Sequence, residues 1–191
     1  MTTTDFLKRL CEGYVRRYRT LNLRTDAKGT DLTQRELDFF AQLGEMLGFG
    51  ACFEAQRMDL SWHDLDSQEL VLHLERETER GKVLNETLPK LLRAEESRQA
   101  RYLAAVLGWV REGDLPAIKQ KIAEELGDRP LLLIAWVGPT KDEAKRLEAF
   151  VFSGSEVHTR RGKGEIDSAG CWYATFLGEW KLEEVSGAAP A

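Results

Sequence analysis

The amino-acid sequence predicts an α/β protein built on a mixed β-sheet with helices on both faces. Two continuous apolar runs, YLAAVLGWV from Tyr102 and PLLLIAWV from Pro130, have the length of strands that are buried on both faces. A helical pattern carrying Ile118, Ile122 and Leu126 lies between them, which makes a βαβ unit and a parallel strand pair. Ahead of this unit, ACFEAQRMDLSWHD and QELVLHLERE have the composition of strands, and the turn LDSQ between them is typical of an antiparallel meander.

Two helices are predicted before the first strand. A Thr-Asp pair suits the cap of a helix of roughly residues 6–18, in which apolar side chains recur every four residues. The segment LNLRTDAKGT indicates a linker. A second helix follows Asp31 or Thr33 and runs to about Leu47, where the glycines of GFG end it.

The elements after the meander are assigned in the same way. A third helix begins between Val83 and Leu88 and runs towards Gln99, with Pro89 tolerated in its first turn. After the second apolar run, GPTKDEAKR indicates a turn or short helix. LEAFVFSG and CWYATFLGEW indicate late, more exposed strands, and the Gly- and charge-rich SEVHTRRGKGE indicates the loop between them. The chain thus divides into an N-terminal helix and linker (1–30), one α/β domain (31–185) and a tail (186–191) expected to be disordered.

Composition and charge exclude several classes of protein. The net charge of −5 in 191 residues argues against a bulk polybasic nucleic-acid binder, although a local basic patch is compatible with it. Three widely separated cysteines without a CxxC pattern argue against a disulfide framework or a structural zinc site, and fit a cytoplasmic protein. No apolar run has the length of a membrane span, and the N-terminus lacks the apolar stretch of a signal peptide, so no membrane partner is expected.

Three acidic residues fall where two neighbouring strands are expected to end. Asp59 lies near the end of an extended segment, and Glu75 and Glu77 share one face of the next strand. Carboxylates brought together across antiparallel strands repel one another unless a divalent cation lies between them, and oxygen ligands suit Mg²⁺ or Mn²⁺. The alternative is that Glu75, Arg76 and Glu77 form the solvated end of a strand, with Asp59 in a turn. Spacing alone leaves both interpretations open.

The order helix, three strands, helix, strand, together with RMDLSW and LVLHLERE, resembles the PD-(D/E)XK nuclease-like superfamily, which has the restriction-endonuclease-like fold. In that superfamily an Asp ends one strand, and an acid and a Lys separated by one residue lie on the next. The resemblance covers roughly residues 31–137 and implies a central αβββαβ core. It also implies cleavage of DNA by an endonuclease or exonuclease that depends on Mg²⁺ or Mn²⁺, with Asp59 and Glu75 as metal ligands.

The sequence departs from the family pattern at one position, where Glu77 stands in place of the usual Lys. In the family this Lys is thought to orient or activate the attacking water and to stabilise charge. Lys90 is the candidate replacement because it lies on the helix after the acidic strand, and Lys82 is a second candidate. An acid of the helix before the strands sometimes joins such sites, and Glu36 and Glu45 are the candidates here. The catalytic set that the resemblance implies is Asp59, Glu75, Glu77 and Lys90.

Three cations lie in the predicted loop SEVHTRRGKGE, namely Arg160, Arg161 and Lys163. Their charges and the backbone amides of the glycines suit phosphate groups, so they are expected to bind the DNA backbone. A solvated hairpin loop is the alternative. His73 shares a strand face with Glu75, which suits a general base, a metal ligand or a satisfied core residue.

Three hypotheses about function follow. The first is a metal-dependent nuclease that acts on DNA. The second is a catalytically inactive protein of the same fold that serves as a binding or assembly module, since Glu77 occupies the Lys position. The third is an unrelated α/β interaction protein that forms a homodimer through its first helix, which carries Phe6, Leu10 and Tyr14 and is expected to lie outside the core.

Overall fold

The computed structural model describes residues 2–21, 29–54, 58–94, 99–141 and 143–184. Eight strands form one mixed sheet and lie side by side in their order along the chain. The strands are β1 (Phe49–Phe53), β2 (Leu60–Asp64), β3 (Leu70–Glu77), β4 (Tyr102–Val110), β5 (Leu131–Val137), β6 (Arg146–Ser153), β7 (Glu156–Ile166) and β8 (Trp172–Glu184). The helices are α1 (Thr3–Arg17), α2 (Gly29–Met46), α3 (Arg80–Lys82), α4 (Leu88–Arg93) and α5 (Leu115–Glu125), and a π-helical segment, Val83–Thr87, joins α3 to α4.

The direction of each strand follows from the connection that precedes it. Short connections join β1, β2 and β3, and also β5, β6, β7 and β8, and all of these neighbours are antiparallel. The pairs β3–β4 and β4–β5 are parallel, and helices lie in both of their connections. The predicted mixed α/β fold is therefore confirmed, and α2 to β4 occur in the predicted order helix, three strands, helix, strand.

Helices cover both faces of the sheet and enclose two apolar clusters. The first cluster lies under α1 and α2 and includes Trp62, Leu72 and Leu74. The second lies under α4 and α5 and includes Leu88 and Leu103. Because side chains alternate along a strand, the carboxyl end of β3 presents successive residues to these two helical layers in turn. None of the described helices is both long and apolar enough to cross a lipid bilayer.

The first helix belongs to the core. Thr2 caps α1, since its side chain accepts a hydrogen bond from the backbone N–H of Asp5 at 3.1 Å and the Asp5 carboxylate reaches back to Thr2. Phe6, Leu10 and Tyr14 are all buried within their own chain. The premise that these side chains are available for dimerisation is therefore wrong. Most of the predicted linker (22–28) and the predicted tail (186–191) lie outside the described residues.

The C-terminal strands differ from the prediction in two ways. LEAFVFSG is not an exposed strand, because β6 is buried along nearly its whole length. SEVHTRRGKGE is not a loop, because residues 156–166 form β7 between β6 and β8. The glycines that suggested a loop instead allow close approach within the sheet: a Cβ at Gly164 would lie 2.8 Å from the ring of Trp136, and one at Gly162 would lie 2.7 Å from the carbonyl oxygen of Thr175.

Candidate active site

Two carboxylates meet where β2 begins and β3 ends. The antiparallel register pairs Leu60 with Leu74, which brings Asp59 beside Glu75. The backbone N–H of Asp59 donates to Oε1 of Glu75 at 3.1 Å, and the backbone N–H of Arg76 donates to Oδ2 of Asp59 at 2.7 Å. Each carboxylate is thus held by an amide of the neighbouring segment, which fixes the two side chains relative to the sheet.

Lys90 completes this arrangement from α4. Its Nζ lies 2.7 Å from Oε1 of Glu75 and 3.9 Å from Oδ1 of Asp59. The side chain of Glu75 is 5 % exposed, whereas Lys90 and Asp59 are each about one-third exposed, at 32 % and 31 %. The three charged groups therefore form a cluster that opens to solvent on the side of Asp59 and Lys90. We call Asp59, Glu75 and Lys90 the carboxylate–lysine cluster.

The helix that carries Lys90 has an irregular turn immediately before it. Pro89 has no backbone N–H, and its ring crowds the preceding turn of a regular helix. The wider turns of the π-helical segment precede it, and there the N–H of Leu88 donates to the carbonyl oxygen of Val83, five residues earlier. The apolar side chains of α4 anchor it against the sheet, so that Lys90 lies over the end of β3. The anchoring residues are Leu88, Leu91 and Leu92.

Burial dominates the electrostatics of the cluster. Desolvation, and secondly the nearby charge of Asp59, raise the pKa of Glu75 to about 7 in spite of the opposing effect of Lys90. Desolvation also raises the pKa of Asp59, against the lowering effects of the Arg76 amide and of Lys90. Both carboxyl groups therefore release their protons less readily than exposed ones do, because burial disfavours their charged forms.

Glu77, which stands where the family pattern has Lys, holds the connection that follows β3. Its Oε1 accepts hydrogen bonds from the backbone N–H groups of Thr78 and Glu79, both at 2.7 Å, and its Oε2 accepts one from the hydroxyl of Thr87 at 3.0 Å. The carboxylate thereby ties the end of β3 to the π-helical segment. Glu77 therefore lies next to the carboxylate–lysine cluster, but these hydrogen bonds join it to other groups.

A second charged group lies behind the cluster, on the opposite face of β3. Arg76 points towards α2, where its Nε lies 2.6 Å from Oε2 of Glu36. The other oxygen of Glu36 accepts the hydroxyl of Tyr14 at 2.5 Å, and that hydroxyl accepts the indole N–H of Trp136 at 3.1 Å. All four side chains are buried. Glu36, a predicted candidate, therefore lies in a buried ion pair on the far side of the strand, and Glu45 is exposed on α2.

The role of Arg76 was missed by the sequence analysis, although one signal pointed to it. Alternation along β3 puts Arg76 on the same face as Leu72 and Leu74, which are fully buried. A charge on such a face requires a buried partner of opposite charge. The interpretation of Glu75 and Arg76 as the solvated end of a strand is wrong, because both residues are buried.

The three cations expected to bind DNA lie elsewhere in the sheet. They are on β7, which is four strands from β3, or about 19 Å at the usual strand spacing. Arg160 pairs with Glu12 of α1 at 2.8 Å, whereas Arg161 pairs on the other face with the carboxylate of Glu148 at 3.2 Å. Lys163 pairs with a neighbouring carboxylate of β7 at 2.9 Å. The structure does not bring these residues to the carboxylate–lysine cluster.

Comparison with protein-family models and with curated proteins finds no match to this chain. Among the residues that the structure describes, no group of three or more His, Cys, Asp or Glu side chains is arranged to hold a metal ion. The carboxylate–lysine cluster offers two carboxylates. His73 is buried on β3, where it lies opposite Ser61 of β2 and Leu103 of β4.

Proposed function

We propose that this protein hydrolyses phosphodiester bonds of DNA with the help of a divalent metal ion, Mg²⁺ or Mn²⁺. The observation that carries the proposal is the convergence of Lys90 on Glu75 and Asp59, at 2.7 Å and 3.9 Å. An Asp, a second acid and a Lys are the three groups that the resemblance to PD-(D/E)XK nucleases implies. The order of the elements from α2 to β4 gives further support.

The donor groups suit a metal that is held partly by its substrate. Mg²⁺ commonly binds to one or two carboxylates of a protein and completes its coordination with water and substrate phosphate oxygens. Asp59 and Glu75 supply two carboxylates, and Asp59 is open to solvent. When bound, the ion would lower the pKa of a water molecule and neutralise charge on the phosphodiester.

The side chains of the cluster have distinct roles in this proposal. Asp59 and Glu75 would hold the metal, and the Arg76 amide keeps Asp59 oriented through its hydrogen bond at 2.7 Å. Lys90 donates hydrogen bonds to the attacking water and to the phosphoryl oxygens on which negative charge gathers. The water oxygen bonds to phosphorus and releases a proton to solvent, the bond to the leaving alkoxide breaks, and the alkoxide takes up a proton from solvent. The products are a phosphate monoester and an alcohol.

Cleavage assays on single-stranded, duplex and branched DNA test the proposal. Wild-type protein should cleave at least one of these substrates with Mg²⁺ or Mn²⁺ and none with EDTA. Asp59→Ala and Glu75→Ala should abolish cleavage, and Lys90→Ala should lower kcat by about a hundredfold or more, as expected for the loss of one donor to the transition state.

Lys82→Ala is the matched control for Lys90→Ala. Lys82 lies on α3, on the same helical segment, and pairs with Glu79 at 2.9 Å rather than with the cluster. Its removal should leave cleavage unchanged. Absence of cleavage by purified wild-type protein with either metal on all three substrates would rule out the enzymatic function.

A second candidate is a non-catalytic module with the same arrangement, and one observation favours it. The ammonium group of Lys90 lies between the two carboxylates, where it acts as a cation supplied by the protein itself. Calorimetric titration with Mg²⁺ separates the candidates. Metal binding by wild type that is lost in Glu75→Gln supports the nuclease. Binding that appears only in Lys90→Ala supports a module whose site is neutralised by Lys90.

A further inference from the structure

The two edges of the sheet differ in their protection against pairing with another strand. Exposed edge strands are commonly protected by charged side chains, proline or bulges. The edge strand β8 carries Lys181 and Glu183 and has a shift in register near Gly178, whose φ is +87°. The opposite edge strand, β1, has the sequence FGACF, with no charge and no proline.

The hydrogen-bond pattern shows which groups of β1 face outward. The backbone N–H of Glu54 donates to the carbonyl oxygen of Asp59, in continuation of the β1–β2 register. Because hydrogen-bonded positions alternate along an antiparallel pair, Cys52 and Gly50 also bond to β2. The N–H and C=O groups of the other three residues point away from the sheet. These outward residues are Phe49, Ala51 and Phe53, and among the described residues no backbone partner pairs with them beyond β2.

The outward groups are arranged symmetrically about Ala51. In an antiparallel pair of two β1 strands centred on Ala51, each Ala51 lies opposite its copy. Phe49 then lies opposite Phe53 of the second copy, and Phe53 opposite Phe49 of the second copy. All three outward residues become hydrogen-bonded pairs, which makes about six new hydrogen bonds at two per pair. Centring the pair on Gly50 or Cys52 leaves at least one of the three without a partner inside the strand.

The side chains around β1 fit the same arrangement. The two Phe49–Phe53 contacts would be aromatic cross-strand pairs, which stabilise antiparallel sheets. Phe53 is 45 % exposed in the single chain, and two further apolar side chains beside β1, Met46 and Leu65, are 74 % and 60 % exposed. Leu65 packs over Gly50, next to the strand. Exposed apolar side chains therefore lie near the open edge.

We propose that this protein forms a homodimer in which β1 pairs antiparallel with β1 of a second copy about a two-fold axis at Ala51. The two sheets join into one continuous sheet of sixteen strands, twice the eight of one chain. The interface is isologous, as expected for a closed dimer. This interface lies on β1 and does not involve α1, because the apolar side chains of α1 lie in the core.

Light scattering after size-exclusion chromatography tests the interface with Ala51→Pro. Proline lacks the N–H that Ala51 directs outward, and it is tolerated on the open side of an edge strand. The variant should therefore fold normally yet elute as a monomer of 21.7 kDa, whereas wild type has twice this mass. Ala51→Ser, which keeps the N–H group, is the matched control and should remain dimeric. If circular dichroism shows that Ala51→Pro is unfolded, Phe53→Lys serves in its place.

Disulfide trapping reads the register directly. Residues opposite each other in a hydrogen-bonded antiparallel pair have Cα atoms about 5.5 Å apart, within the range of a disulfide. Ala51→Cys in a Cys52→Ser background should thus form a covalent dimer under mild oxidation, and Cys52→Ser alone should not. Native Cys52 faces its copy diagonally, at about 7–8 Å, and should cross-link poorly. The proposal is overturned if wild type is a monomer, or if both Ala51→Pro and Phe53→Lys remain dimers. It is also overturned if the Ala51→Cys variant forms no more covalent dimer than its Cys52→Ser parent.

Discussion

The Glu75→Gln variant isolates the energetic consequence of holding a carboxyl group beside Asp59 in a buried position. Burial raises the pKa of Glu75 from 4.5 to about 7 in the folded protein. Between these two values the folded state keeps the Glu75 proton, whereas the unfolded chain releases it. The proton therefore stabilises the fold fully below pH 4.5, and this contribution, roughly 3 kcal/mol, is lost as the pH rises through about 7.

Glutamine has nearly the same shape and no proton to release, so the variant should lack this contribution. We expect the free energy of unfolding of wild type, minus that of Glu75→Gln, to fall by roughly 3 kcal/mol between pH 4.5 and pH 7. Urea denaturation followed by circular dichroism at a series of pH values measures it, and Glu79→Gln, at an exposed carboxyl, is the control. If the free energies of unfolding of wild type and Glu75→Gln change in parallel with pH, the raised pKa of Glu75 is refuted. A difference that grows with pH would mean that Lys90 keeps Glu75 charged.

Three further predictions concern the groups that surround the cluster. Glu36→Ala leaves the Arg76 guanidinium buried without its carboxylate and should lower the free energy of unfolding by about 3–5 kcal/mol in urea denaturation, and a loss below about 1 kcal/mol would contradict this. Gly108→Ala places a methyl group against Nη1 of Arg76 and should lower the free energy of unfolding by about 1–3 kcal/mol, whereas Gly113→Ala, with open space around it, should show no such clash. Thr87→Val removes the hydroxyl that binds the carboxylate at the end of β3 and should lower the melting temperature, with a cost of about 1–3 kcal/mol; an unchanged melting temperature would contradict it.

The sheet was largely predictable because its central strands have local signatures. The continuous apolar runs of β4 and β5 can be buried only between two helical layers, and the helix between them requires a parallel connection. The strand β7 could not be recognised in this way. Its glycines and charges are typical of loops, and only the neighbours Trp136 and Thr175 explain why residues 162 and 164 have no side chain.

The acids of the candidate site were also identified from the sequence, because strand alternation and a short turn bring Asp59 and Glu75 to one place. The contact of Lys90 with them depends on a longer-range arrangement. The π-helical turn before Pro89 and the burial of Leu88, Leu91 and Leu92 set the direction of its side chain. Helical spacing by itself leaves that direction open.

The sequence by itself determined the order of the elements from α2 to β5, the candidate acids Asp59 and Glu75 and the replacement of Lys by Glu77, since these depend on local pattern. Only the tertiary structure decided which charges meet. Glu75 faces α4 and pairs with Lys90, while the next residue, Arg76, faces α2 and pairs with Glu36. The physical reason is that a strand fixes the alternation of its side chains, but the helices that cover each face supply the partners, and those come from distant parts of the chain.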